Sequence, residues 1–101
     1  MLINAREAHE ATEKNKTDTL ENVKKLLMKQ EKRFNKTIQK AINRGNVSVR
    51  ITDLNIPYYS GQRKTIETLV EAYFQDARYK IIDIGTEDYM IESIAIGWSE
   101  A

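Results

Sequence analysis

Residues 4–44, NAREAHEATEKNKTDTLENVKKLLMKQEKRFNKTIQKAINR, run for forty-one positions without a glycine or a proline, and most of them favour helix. Asn4 is placed to N-cap this stretch, with Glu7 three residues on and Leu2 and Ile3 in the position of a hydrophobic staple. The segment Lys14 to Thr19 is poor in helix formers, and Asp18 with Glu21 repeats a helix-start signal. The spacing therefore predicts a long N-terminal helix, continuous or broken near residues 15–18. From Leu20 onward Leu20, Val23, Leu27, Phe34, Ile38, Ala41 and Ile42 fall within roughly 100° of arc, a stripe that faces a core or a partner. Gly45 can take the left-handed conformation that ends a helix.

Working outward, the remainder reads as a small β-α-β-β cap. Val47, Val49 and Ile51 alternate with polar residues as in a half-buried strand. Residues 53–59 leave the sheet, with Pro57 keeping Ile56 out of a helix. Ser60 caps a helix carrying Ile66, Leu69, Val70, Tyr73, Phe74 and Ala77 on one face. Residues 79–84 and 89–98 form two strands joined through Gly85-Thr86-Glu87-Asp88. The second of these is the more apolar and belongs in the centre. The expectation is an α+β single domain over 1–101, a helical arm (1–44) and an αβ cap (46–99), with a three-stranded sheet of order 1-3-2.

The chain has 101 residues, no cysteine, one histidine and a formal net charge of +1. A disulfide framework and a cysteine zinc site are thereby excluded. No apolar run is long enough to span a bilayer, and the start lacks the pattern of a signal peptide. A cytoplasmic protein is expected. The small net charge hides a strong polarity, for residues 1–20 carry −1, residues 21–64 carry +8 and residues 65–101 carry −6. Such a distribution fits self-assembly or an anionic partner.

Two groups of residues point to anion binding. Lys25, Lys29, Lys32, Lys36 and Lys40 occupy about 80° of arc opposite the apolar stripe. A solvated face is the plain reading. Yet each like-charge i,i+4 pair costs the helix about 0.2–0.5 kcal/mol where mixed charges would stabilise it. The second group is Tyr58-Tyr59-Ser60-Gly61-Gln62-Arg63-Lys64. It sets two aromatic rings and two cations at a helix N-terminus, where free amides favour a phosphate. An ordinary capped loop is the alternative. Arg50 and Trp98 are second contributors.

Catalysis finds little support. His9 with Glu10 and Glu13, and Asp83 with Glu92, are the only acid–base groupings, and neither has the further groups a reaction needs. No phosphate-binding glycine loop or calcium loop occurs. The expectation is a non-enzyme without cofactor or metal.

Met1-Leu2-Ile3-Asn4-Ala5-Arg6-Glu7-Ala8, Ala41-Ile42-Asn43-Arg44-Gly45 and Ile94-Ala95-Ile96-Gly97-Trp98-Ser99 resemble a recurring type of short accessory protein of tailed phages of Gram-positive bacteria. A helix as long as residues 4–44 against so small a cap leaves apolar area that one chain cannot cover, so a dimer or tetramer through the long helix is expected, and the resemblance implies an oligomeric binding protein. It would act in the host cytoplasm by sequestering a phosphate-containing nucleotide signal of host defence. The ligand residues expected on that reading are Tyr58, Tyr59, Ser60, Gly61, Arg63, Lys64 and Arg50. An inhibitor that binds a host protein or nucleic acid through the lysine face is the alternative.

Overall fold

A computed structural model describes residues 1–58 and 61–99, and of residues 15–20 the backbone only. Helix α1 (Ala5–Lys29) is followed by α2 (Glu31–Asn43), strands β1 (Ser48–Ile51) and β2 (Ile56–Pro57), helix α3 (Arg63–Gln75), and strands β3 (Lys80–Glu87) and β4 (Met90–Gly97). The architecture is α+β, with the helices against one face of an antiparallel sheet.

The expected long helix over 4–44 is not formed. Its backbone passes through residues 15–18 as helix and breaks instead at Gln30. The cause is a tertiary contact. Gln30 Nε2 donates to the carbonyls of Leu26 (3.2 Å) and of Leu54 in the loop after β1 (3.0 Å). Its backbone N–H turns to Leu27 O at 3.0 Å, one residue short of the α-helical acceptor. Arg33, one turn on, grips the same loop through Thr52 O at 2.8 Å and Asp53 O at 3.1 Å, and its guanidinium also meets Gln30 Oε1. The side chain of Leu20 and the second start signal at Asp18 lie outside the described residues.

At its start α1 is capped by Asn4 Oδ1, which accepts from the Glu7 amide at 2.8 Å. Residues 5–14 are all exposed, and the contacts of α1 with α3 come from its C-terminal part, where Val23 and Leu27 are buried. About 1.5 Å per residue makes α1 roughly 38 Å long, and the molecule measures 62 × 25 × 22 Å.

The three-stranded sheet of order 1-3-2 is also corrected. Four strands are present, and the order is β1-β4-β2 with β3 on the other edge of β4. β1 pairs with residues 94–97 of β4 and β2 with residues 90–91, so the two share one edge in succession. Between them the chain stays tied to β4 through Leu54 N–H to Glu92 O at 3.0 Å, and just after β2 Tyr58 N–H bonds Tyr89 O at 2.9 Å in the turn before β4. It closes up by putting Asp53 (φ 58°) and Asn55 (φ 53°) in the left-handed region, which short polar side chains enter most readily. Pro57 is accommodated because a sheet edge needs no N–H from it. The β3–β4 turn is Asp88-Tyr89, both at positive φ (48° and 59°), and not Gly85 to Asp88, so β3 runs three residues beyond its expected end at Ile84, while β4 falls within the expected 89–98.

The core is a single apolar layer between sheet and helices. Phe34, Leu27, Ile51, Leu54, Ile56, Ile66, Val70, Ile91, Ile94 and Ile96 are all less than 2% exposed, each burial being worth about 1.5–3 kcal/mol before entropy. The Phe34 ring sits 5.4 Å from that of Phe74, and Tyr73 meets Phe34 edge-on at 6.4 Å. α3 buries Ile66, Val70 and Phe74, while Ala77 lies beyond its end and is exposed. Its N-cap position falls to Gln62, whose side chain makes no capping bond; Ser60 lies outside the described residues.

Candidate ligand-binding site

The expected ligand residues do not form one cluster. Tyr58 is half-buried, its ring 6.2 Å from that of Tyr89. Arg63 donates to Glu67 Oε1 at 3.0 Å one turn along α3. That hydrogen bond, and then the nearby Tyr58 and Glu67 charges, raise the guanidinium pKa further and tie it to the protein itself. Tyr58 and Arg63 are thus neighbours, Gly61 and Lys64 are exposed beside them, and Tyr59 and Ser60 lie outside the described residues. Arg50 is elsewhere. It projects from the face of β1 opposite the core and reaches across β4 to β3, with Ser93 Oγ at 2.9 Å and Asp83 Oδ2 at 2.6 Å. Gly85 leaves room for this reach, since a Cβ there would overlap Ser93 Oγ and lie 3.6 Å from Arg50 Nη1. Asp83 is therefore half of an ion pair and not of a carboxylate pair with Glu92.

His9 stands exposed on the projecting part of α1, and among the described residues no group of acids and histidines could hold a metal ion. No described helix is long and apolar enough to cross a membrane. The five lysines of the expected second anion face are all exposed, each opposite the buried residues of its own helix.

The concavity best furnished for a ligand lies at the other end of α3. The helix ends in a Schellman turn, with Arg78 N–H to Gln75 O at 2.8 Å and Tyr79 N–H to Phe74 O at 3.2 Å. Such a turn requires its fifth residue to be left-handed, and that residue is Arg78, at φ 69°. The same turn ends α2, where Gly45 N–H bonds Ile42 O at 2.9 Å and Asn46 N–H bonds Ala41 O at 3.0 Å. There the left-handed position is filled by Gly45, at φ 78°. An arginine at this position costs about 1–2 kcal/mol that a glycine avoids.

The turn projects Arg78 and Lys80 beside a cavity of about 610 Å³, a size typical of small-molecule sites. The start of β1 (Val47, Ser48) and the end of β4 (Gly97, Trp98, Ser99) supply the opposite wall, and Gln75, Tyr79 and Ile82 complete it. Gly97 keeps the floor flat, because a Cβ there would come within 3.2 Å of Ile82 Cδ1 and 3.5 Å of Val47 O. Trp98 is fixed by its N–H to Val47 O at 2.9 Å and by an edge-on contact with Tyr79 at 6.0 Å. Arg78, Tyr79 and Trp98 also border a second, apolar hollow of about 220 Å³ against Ile38 and Ile42 of α2. Neither the Arg78 guanidinium nor the Lys80 ammonium has a side-chain partner among the described residues.

Two uncommitted cations, an indole, a phenol and two hydroxyls can hold an anionic group beside a flat ring. Among the described residues that line the cavity, none carries a carboxylate or an imidazole. Sequence reasoning reached Trp98 but missed Arg78 and Lys80. The signal was the run Gln75-Asp76-Ala77-Arg78-Tyr79, a tight helix-to-strand connection without glycine or asparagine. No protein-family model, curated protein or solved structure matches the chain.

Proposed function

We propose that this chain is a non-catalytic binding protein for a small phosphate-bearing nucleotide, held in the cavity formed by Arg78, Lys80, Tyr79 and Trp98. The observation that carries the reading is Arg78 itself. The chain places an arginine, whose guanidinium has no partner among the described residues, at a left-handed position where it uses glycine in the equivalent turn of α2. Local strain of this kind accumulates at binding sites, where the side chain's interaction offsets it. In this arrangement Arg78 and Lys80 take the phosphate, Trp98 and Tyr79 offer aromatic surface to the base, and Ser48, Gln75 and Ser99 supply donors and acceptors for sugar and base edges. The described lining residues of the cavity are groups that retain a ligand, and sequestration is the role implied by the resemblance to phage accessory proteins.

Titration calorimetry with nucleoside monophosphates, cyclic di- and trinucleotides and cyclic ADP-ribose isomers tests the reading. Saturable heat for at least one nucleotide, with inorganic phosphate far weaker, is the expected result. No heat across the panel would remove the proposal.

Self-association belongs to the same reading. Residues 5–14 of α1 are all exposed. An isolated helical stretch of that length is marginal in water. Pairing of projecting helices from two copies would stabilise it, and a monomer in light scattering at tens of micromolar would contradict this.

A further inference from the structure

The lysines of α1 and α2 form a surface separate from the cavity. Lys25 and Lys29 lie opposite Val23 and Leu27, and Lys32, Lys36 and Lys40 lie opposite Phe34, Ile38 and Ala41. Both buried sets enter one core, so both lysine sets point away from it. None of the five ammonium groups has a hydrogen bond or ion pair among the described residues. Of the six arginines, Arg6, Arg33, Arg50 and Arg63 are each engaged by a carboxylate or a carbonyl, whereas exposed Arg44, one turn beyond Lys40, has like the lysines no side-chain partner among the described residues. Glu31, the acid of the first turn of α2, sits beside the Tyr73 hydroxyl on the groove side. The lysine field is therefore left uncompensated, although three like-charged i,i+4 pairs work against the helices that carry it.

We infer that this face binds the phosphate backbone of duplex nucleic acid without reading its sequence. Lysines one helical turn apart advance by about 6 Å and Lys32 to Lys40 by about 12 Å, a spacing that lets successive side chains meet successive phosphates. Lysine supplies point charges and not the bidentate fork that reads guanine. The face has no aromatic ring on which unpaired bases could stack, which favours duplex over single strand. Met28, 54% exposed, is an apolar side chain at its border, far less than the broad apolar face that holds a helix in lipid, and no aromatic residue of the kind that dominates protein interfaces stands among its lysines.

Fluorescence anisotropy with a labelled 20-base-pair DNA duplex tests the inference. Five phosphate contacts give a slope of about −4.5 in log affinity against log salt, or roughly 500-fold weaker binding at 200 mM than at 50 mM sodium chloride. The variant K32Q/K36Q/K40Q retains two contacts, and its slope falls to about −1.8. These substitutions relieve repulsion on an exposed face, so helicity by circular dichroism is expected to hold. Should the triple variant fold poorly, K36Q alone lowers the slope by about 0.9. Absence of binding at 50 mM salt, or a slope that the substitutions leave unchanged, would overturn the inference. Equal affinity for polyglutamate, or tighter binding to phosphatidylserine vesicles than to DNA, would overturn its assignment to nucleic acid. Nucleotide binding in the Trp98 cavity is read separately, by calorimetry, and does not depend on these lysines.

Discussion

Replacing Arg78 with glycine separates the two things this residue does. In the folded chain Arg78 sits at φ 69° in the Schellman turn of α3, at a cost of about 1–2 kcal/mol for a residue with a Cβ. Glycine removes that cost but loosens the unfolded chain by about 0.4–1 kcal/mol. The net expectation is a stabilisation of about 0.5–1 kcal/mol, which for a domain of this size raises Tm by roughly 2–8 °C. Binding should move the other way. A guanidinium–phosphate hydrogen bond is worth about 1.5–3 kcal/mol, so R78G should bind nucleotide about 10- to 150-fold more weakly. Differential scanning calorimetry and titration calorimetry on the same preparation read both numbers. The reverse substitution at the matched turn is the control. Gly45 stands at φ 78° with no atom within 4 Å of where a Cβ would be, so G45R should lose about 0.5–1 kcal/mol, the same two backbone effects with the sign reversed, and leave nucleotide binding unchanged. An R78G protein that melts lower than the parent and binds as before would refute the reasoning, because Arg78 would then be serving the fold.

Two other perturbations address the fold around the site. Arg33→Ala removes the grip on Thr52 O and Asp53 O and should cost about 1–3 kcal/mol in urea unfolding; a loss within error of zero would mean that Gln30 alone holds the loop. Burial, followed by the adjacent Glu31 carboxylate, raises the Tyr73 phenol above its usual pKa. Because the folded pKa is the higher one, the neutral phenol's contribution is intact below pH 10 and is lost as pH rises through the raised value. Parent stability should therefore fall more steeply between pH 9 and 11 than that of Tyr73→Phe, and parallel curves would contradict the shift.

The parts of the fold legible in the sequence are those decided by local pattern. The 3.6-residue spacing of Ile66, Val70 and Phe74 marks the buried side of α3, the alternation around Ile51 marks β1, and Gly45 marks the end of α2. What was illegible depends on partners distant in sequence. Nothing near Gln30 announces a helix break, because the break is set by the Leu54 carbonyl twenty-four residues away. The weak helix formers before Thr19 drew attention to residues 15–18, but propensity is a small term and helix runs through them. Strand β2 was hidden by Pro57, whose missing N–H matters only away from a sheet edge. The candidate site divides along the same line. A Tyr-Tyr-Ser-Gly-Gln-Arg-Lys run stands out in sequence, yet Arg63 is paired with Glu67, and Arg50 spans the opposite face of the sheet. Arg78, Lys80, Ser48 and Trp98 come from three separate stretches that only the folded sheet brings together.

Trp98 is the chain's single tryptophan, and it forms a wall of the cavity in which nucleotide binding is proposed. Its emission, excited at 295 nm, therefore comes from a side chain in the wall of that cavity. Titration of the parent protein with the nucleotide giving the largest calorimetric heat should quench or shift this emission along a saturable curve with the calorimetric midpoint, and R78G should move that midpoint about 10- to 150-fold higher. Calorimetric binding that leaves Trp98 emission unchanged, or an emission midpoint that R78G does not move, would contradict the account.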